Sequence, residues 1–192
     1  LYLDHYGYRL GDKQWGKDEA HVLLEPDCEG PLPDPVDLKV RSRSACDLNP
    51  IDLKDREERE KLLSYLWPDQ TERIRKTEAA IAYAAAQDEA ITRSDAVDWL
   101  AKRLGERHEG AVHVIYHTIA WQYFPEQKQK EGEALLEAAG AQTTDKAPLA
   151  WLRLEADGQS PGAALKLTLW PGGKSSLLAR GDFHGRWIKW HK

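Results

Sequence analysis

The chain has 192 residues and a net charge of −5, with 41% hydrophobic and 31% charged residues. This length suffices for one globular domain with a sizeable core, and an acidic balance without a dense basic stretch argues against a nucleic-acid-binding surface. No apolar run approaches the ~20 residues of a membrane-spanning helix, and the first residues lack the charged, apolar and small segments of a signal peptide.

Cysteine and histidine usage gives no sign of a metal centre. Cys28 and Cys46 are the only cysteines, and none of the seven histidines stands at a zinc-ligand spacing from a cysteine or carboxylate. Free thiols are typical of a reducing compartment. We therefore expect a cytoplasmic protein without a metal site.

The first half of the chain predicts short strands that alternate with helices. The opening residues 1–10, rich in leucine and aromatic side chains, are typical of the inside or the exit of a helix. Short strands are expected at 20–24, 36–46 and 89–92, and the second of these stops at a turn over 47–50. Acidic caps before apolar residues three and four positions apart predict helices at 52–67, at 69–86 and from Asp95 onward.

The most continuously apolar stretch is residues 111–124, which read AVHVIYHTIAWQYF. Large side chains that favour strands occupy both alternating faces, which is typical of a strand in the middle of a sheet covered on each side. In open α/β sheets, ligands bind beyond the carboxyl ends of the strands. The polar residues His117 and Thr118 mark that end, so we expect a site there.

The second half predicts one helix followed by several strands. Residues 126–139 have a helical pattern and precede Gly140, a residue typical of a helix C-terminus. The expected strands are 149–155, 165–169, 176–180 and 186–190, with turns at 171–173 and 182–186. Because strands and helices alternate through most of the chain, we expect an α/β fold, a three-layer, Rossmann-like, mainly parallel sheet with an antiparallel C-terminal edge.

Two acidic turns are candidate nucleotide-binding segments. Asp47 ends the strand predicted at 36–46, where a carboxylate can accept hydrogen bonds from the vicinal hydroxyls of a ribose. Asp95 and Ala96 follow the next short strand, where an acid or a backbone amide can read the edge of an adenine. Each segment also has a simpler explanation, since Asp47 suits an Asx-Pro turn with Pro50 and Asp95 suits a helix N-cap.

The end of the 111–124 stretch is a candidate catalytic and substrate-binding site. His117 has the chemistry of a general base near neutral pH. Thr118, Trp121 and Tyr123 are candidates for the wall of a substrate pocket. The alternative is structural, because a histidine among apolar residues is more often a hydrogen-bonded core residue, and Trp and Tyr more often pack in cores.

The order of these segments resembles class I S-adenosylmethionine-dependent methyltransferases. In that fold an acid after the second strand binds the ribose, an Asp-Ala-type turn after the third lies near adenine, and active-site residues follow the fourth. The resemblance implies that Asp47, Asp95 and Ala96 bind S-adenosylmethionine, and that His117 and Thr118 stand on the acceptor side. The implied activity is methyl transfer to a small-molecule or other acceptor.

A closer resemblance covers nearly the whole chain. The segments that carry it are Asp47-Leu48-Asn49-Pro50, Trp67-Pro68-Asp69-Gln70, His117-Thr118-Ile119-Ala120-Trp121-Gln122-Tyr123, Ala150-Trp151-Leu152-Arg153 and Leu169-Trp170-Pro171-Gly172-Gly173. They are similar to the bacterial domain-of-unknown-function 2332 family, whose Gly-rich segment precedes an Asp-x-Tyr-x-Tyr stretch that Asp4, Tyr6 and Tyr8 fit. This resemblance implies one methyltransferase-like domain over residues 1–192, with its first strand, its Gly-rich cofactor loop and a helical region upstream of Leu1.

Two functions of different classes remain open. The first is the methyltransferase, with a small-molecule substrate and with neither nucleic acid nor membrane as a partner. The second is a non-catalytic binding or assembly module on the same fold, because a fold does not dictate a function. In that case tryptophans of the predicted edge strands, among them Trp187 and Trp190, would supply the interaction surface.

Overall fold

The structure, a computed structural model, describes residues 1–17, 19–89, 91–106 and 108–191. Its contacts divide the chain into two compact units. The N-terminal unit comprises Leu1–Glu25 and Asp34–Asp95, and the C-terminal unit comprises Pro26–Pro33 and Ala96–Lys192. In the described residues, no helix has the length and apolarity needed to cross a membrane.

The described residues form short strands in the first half of the chain and longer ones in the second. The strands, in chain order, are β1 (Gly7–Leu10), β2 (Lys13–Gly16), β3 (Leu23–Leu24), β4 (Asp27–Glu29), β5 (Cys46–Asp47), β6 (Thr92–Arg93), β7 (His113–Thr118), β8 (Leu149–Glu155), β9 (Ala163–Trp170), β10 (Lys174–Gly181) and β11 (Trp187–Trp190). The helices are α1 (Arg56–Ser64), α2 (Thr71–Ala85), α3 (Ala96–Arg103) and α4 (Glu126–Gly140).

The N-terminal unit contains two small sheets and a helix pair. β1 pairs antiparallel with β2 and parallel with β3, while β5 and β6 form a separate parallel pair. α1 begins where Asp55 caps it, since the Asp55 carboxylate accepts hydrogen bonds from the backbone N–H groups of Glu57 and Glu58. The acidic cap predicted for this helix is therefore confirmed at Asp55, and the helix is shorter than the predicted 52–67.

Two predictions for the N-terminal unit are wrong. Residues 1–10 do not form a helix, because only a single 3-10 turn at Leu3–His5 precedes β1. Of the strand expected at 36–46, only Cys46 pairs, as the first residue of β5. The alternating apolar residues before it, Val36 and Leu38, are exposed. Within the described residues, they pair with no strand of a sheet.

The C-terminal unit is built on a six-stranded sheet with the order β4-β11-β10-β9-β8-β7. β7 and β8 are parallel and are joined through α4, a βαβ connection, and β11 is parallel to β4. The other neighbours are antiparallel. α3, α4 and the sheet share one buried core of Leu100, Leu136, Leu149, Trp151 and Trp170.

The prediction of a mainly parallel sheet is wrong, although the mixed α/β class and the antiparallel C-terminal strands are confirmed. The connections at 156–162 and 171–173 are too short for a parallel crossover, which needs about a dozen residues, so β8, β9 and β10 run antiparallel. β7 lies at an edge of the sheet rather than in its middle. Val114 and Tyr116, on one face of β7, are 48% exposed, so this face is not covered as expected.

Arg180 secures the connection between β8 and β9. Its guanidinium makes two hydrogen bonds to the Asp157 carboxylate, at 2.9 and 3.0 Å. It also donates to the backbone carbonyls of Gln159, Pro161 and Gly162. The Arg180 hydrogen bonds lower the pKa of Asp157 to about 2, and this buried arginine ties residues 156–162 to β10.

Two glycines allow tryptophan rings to lie directly against α4. A side chain at Gly132 would overlap the Trp121 indole, and one at Gly140 would overlap the Trp170 indole. Gly140 is the last residue of α4 and does not have a positive φ. Gly140 is therefore required by close packing, and not as the left-handed cap that its position in the sequence suggested.

We expect Gly132→Ala to destabilise the protein by about 1–3 kcal/mol, because the added methyl group meets the outer edge of the Trp121 ring. In an unobstructed helix the same change stabilises by about 0.5–1 kcal/mol. Urea denaturation measures the free energy of unfolding. The control is the same substitution in a Trp121→Phe background, where the distal ring atoms are gone and the cost should fall. Equal destabilisation in both backgrounds would exclude the Trp121 contact as the cause.

Candidate functional site

The chain turns sharply at the end of β7. Ile119 directly follows the strand and has a φ of 48°, in the left-handed region that β-branched residues rarely adopt. Its N–H donates a hydrogen bond to the Leu154 carbonyl on β8, at 2.8 Å. The turn leads into a short 3-10 helix at Trp121–Tyr123. The strained backbone at Ile119 thus redirects the chain toward the end of β8.

Glu155, the last residue of β8, holds this turn in place. Its Oε1 accepts hydrogen bonds from the His117 Nδ1–H at 2.7 Å and from the backbone N–H groups of Ala120 and Trp121 at 3.0 and 3.1 Å. The His117 and Glu155 side chains are only 15% and 13% exposed. One carboxylate oxygen therefore receives three donors in a site with little water, where each bond is stronger than at the surface.

Both ring nitrogens of His117 are engaged. The Trp151 indole N–H donates to His117 Nε2 at 3.0 Å, so Nε2 is unprotonated and Nδ1 carries the proton given to Glu155. The Trp121 ring stacks on the imidazole with centroids 4.9 Å apart. Burial lowers the pKa of His117 below its ordinary value of 6.5, and Glu155 opposes this shift only in part.

This geometry is that of a hydrogen-bonded structural histidine, the alternative that the sequence left open. To act as a base, His117 would have to release the Trp151 N–H from Nε2. Trp121 is packed in the cluster, between His117 and α4, whereas Tyr123 is 74% exposed and Thr118 is also exposed. The structure thus brings Trp121 into contact with His117, and leaves Thr118 and Tyr123 exposed to solvent.

Sequence reasoning missed Glu155, Trp151 and Arg153. The strand 149–155 was predicted with its observed bounds, and its last residue is an acid. That terminal acid could have indicated a partner for His117, because the ends of neighbouring parallel strands meet at one edge of a sheet. Arg153 covers the other face of Trp151, with its guanidinium carbon 3.7 Å from the ring centroid.

The candidate cofactor residues lie at the end of the parallel pair β5–β6. Asp47 is the last residue of β5 and pairs in register with Arg93, and the Ser94 N–H donates to the Asp47 carbonyl at 3.0 Å. Burial raises the pKa of the Cys46 thiol, and the nearby carboxylates of Asp47 and Asp95 raise it further. Asp47 ends β5 and Asp95 follows its register partner Arg93 by two positions, so both acids belong to the same end of the pair.

Asp47 also forms the Asx turn that is its simpler explanation. Its Oδ1 accepts a hydrogen bond from the Asn49 N–H at 2.7 Å, which forms an Asx turn before Pro50. Arg93 donates to the Asn49 side-chain oxygen at 2.9 Å and further secures this turn. Ala96 is the first residue of α3.

The single sheet expected to carry all three candidate segments does not form. The segments of Asp47 and Asp95 follow β5 and β6, which make their own sheet, and His117 belongs to the six-stranded sheet. Among the described residues, no group of three or more His, Cys, Asp or Glu side chains is arranged to hold a metal ion.

A comparison with protein families gives one match. The matching family is described as an uncharacterised protein conserved in bacteria (DUF2332), and its model covers residues 1–190. No curated protein and no solved structure matches the chain significantly. The match covers almost the whole chain, and the description of the family names no activity.

We expect Glu155→Ala to destabilise the protein by about 2–4 kcal/mol, because the His117 N–H and two backbone N–H groups lose their common acceptor. Glu155→Gln retains a carbonyl oxygen at the same place and should cost about 1 kcal/mol. Urea denaturation of both variants gives the comparison. If the two variants were equally destabilised, the acceptor oxygen would not be the important feature of this residue.

Stability should fall on acidification between about pH 7 and pH 5. The folded-state pKa values of His117 and His113 are lowered by burial, so below their ordinary value of 6.5 the unfolded chain binds more protons than the folded one. Thermal unfolding across this pH range measures the slope. His117→Asn keeps a donor for Glu155 and should flatten the slope, while the exposed His184→Asn should leave it unchanged. An unchanged slope in His117→Asn would contradict the assignment.

Proposed function

The chain belongs to the DUF2332 family of uncharacterised bacterial proteins, and from the geometry of its own residues we propose that it catalyses S-adenosylmethionine-dependent methyl transfer to a small-molecule acceptor. One observation carries this proposal. The parallel strands β5 and β6 end side by side, with the acids Asp47 and Asp95 at the same end. Acids at the carboxyl ends of adjacent parallel strands suit the ribose and adenine of a nucleoside cofactor.

The Asp47 carboxylate suits a pair of ribose hydroxyls. It is exposed, and the Asn49 N–H holds its Oδ1, so its orientation is set before a ligand arrives. An ionised carboxylate has about four acceptor positions, and the Asx turn uses one of them. The turn and the ligand-binding role are therefore compatible on the same side chain.

Asp95 would contribute at the adenine. Its carboxylate is an acceptor for an exocyclic amine. The reactive methyl group is the chemistry that the cofactor supplies when it is bound. The remaining task of the protein is to hold the acceptor in line and to accept a proton where the acceptor needs to lose one.

We do not assign the proton acceptor to His117. Its Nε2 lone pair is already directed at the Trp151 N–H, and its Nδ1 carries the proton bonded to Glu155. Its pKa is lowered by burial, which suits a neutral imidazole, but neither nitrogen is open to an acceptor without breaking a buried hydrogen bond. The proposal therefore concerns cofactor binding first and leaves the base unassigned.

The alternative of a non-catalytic binding module rested on the C-terminal tryptophans. The Trp187 ring lies against Gly162, and both Trp187 and Trp190 are partly buried. Because neither tryptophan is exposed, they do not favour this alternative over cofactor binding.

We expect the protein to bind S-adenosylmethionine or its demethylated product, as measured by isothermal titration calorimetry. Asp47→Asn keeps the acceptor for the Asx turn but removes the charge, and should weaken binding by at least about tenfold. The matched control is Asp52→Asn, because Asp52 makes the same kind of turn with the Lys54 N–H but does not end a strand.

Two results would overturn the proposal. The first is the absence of any binding heat or thermal shift with either ligand. The second is equal loss of affinity in Asp47→Asn and Asp52→Asn, since that would separate binding from the end of β5.

A further inference from the structure

A cavity of about 270 Å³ lies at the other end of β7, within the C-terminal unit. It opens where β7 and β8 begin, at His113 and Leu149, and the end of α3, one side of α4 and the loop 141–148 complete its walls. Leu104, Leu135 and Leu149 supply apolar surface. This volume is just below the roughly 300–1,000 Å³ of typical ligand pockets, so it suits only a small ligand.

The imidazoles of His108 and His113 line this cavity. The rings of His108 and His113 meet edge to face, with centroids 5.0 Å apart and planes at 89°. Among the described residues, no side chain or backbone group bonds to a ring nitrogen of either histidine, although the His113 backbone N–H bonds to the Pro148 carbonyl. Each ring therefore has hydrogen-bonding capacity that a ligand in the cavity can use.

One carboxylate and one guanidinium lie near the two rings. Glu106 is the carboxylate at this end of the cavity, and Arg103 already donates to it at 2.8 Å. The other Glu106 oxygen lies 3.9 Å from His108 Nε2. Burial lowers the pKa of His113, as do the charges of His108 and Arg103, and Glu106 only opposes this. The other cavity-lining residues of α3, α4, the loop 141–148 and β8 are uncharged, so an anionic ligand would meet Glu106 as the carboxylate of the cavity lining, already bonded to Arg103.

We propose that this cavity binds a small organic acid. Its carboxylate accepts hydrogen bonds from His108 and His113, and its short apolar body packs against Leu104, Leu135 and Leu149. A carboxylate offers acceptors to the two imidazole N–H groups, and the leucines exclude water from the rest of the ligand. This binding site is separate from the end of β5–β6 and does not depend on the proposed methyl transfer.

Nuclear magnetic resonance of the whole chain with isotope-labelled histidine tests the proposal. The probe is benzoate, and its uncharged counterpart of nearly the same shape is benzamide. We expect millimolar benzoate to shift the ring signals of His108 and His113 in a saturable manner and to raise the pKa of His113, because a bound anion favours the imidazolium. Benzamide should bind at least about tenfold more weakly.

Variants separate this site from general effects of the ligand. The double variant His108→Asn with His113→Asn should lose the saturable binding, and its unfolding curve checks that the fold is intact. His184→Asn, on an exposed turn of the same unit, should bind benzoate like the unaltered chain. Equal shifts with benzamide, no saturable shift with benzoate, or undiminished binding in the folded double variant would each overturn the proposal.

Discussion

The C-terminal unit depends on one carboxylate oxygen, Oε1 of Glu155. It gathers an imidazole N–H and two backbone N–H groups at 2.7–3.1 Å, and so fastens the end of β7 to the end of β8. This arrangement holds Ile119 in its left-handed conformation, which is costly for a β-branched residue. The hydrogen bonds to Glu155 thus offset a strain of the order of 1–3 kcal/mol in the backbone between them.

The same carboxylate determines where α4 packs. Because the backbone N–H of Trp121 donates to Glu155, the Trp121 ring is held over His117 and against Gly132 of α4. Trp151 completes the cluster by donating to His117. A polar contact between strand ends therefore orders an aromatic layer, and this layer in turn requires a glycine in the middle of a helix.

Much of the C-terminal unit could be predicted from the sequence because its patterns are local. The strand at 149–155 and the helix at 126–139 follow from alternation and helical spacing, and both are observed with nearly those bounds. Strand direction could not be predicted from such patterns, because side chains alternate with a period of two in both parallel and antiparallel sheets. The partner of His117 was equally hidden, because Glu155 lies 38 positions away and only the β7–β8 register brings them together.

The two ends of β7 differ in how their histidines are bonded. The rule that ligands bind beyond the carboxyl ends of strands belongs to open parallel sheets, where those ends leave a crevice. Here the sheet is mostly antiparallel, and at the carboxyl end of β7 the nitrogens of His117 are satisfied by Glu155 and Trp151. At the amino end, His113 lines a cavity and its ring meets that of His108 edge to face. The hydrogen bonds of Glu155 thus close one end of β7, while the other end opens on a cavity.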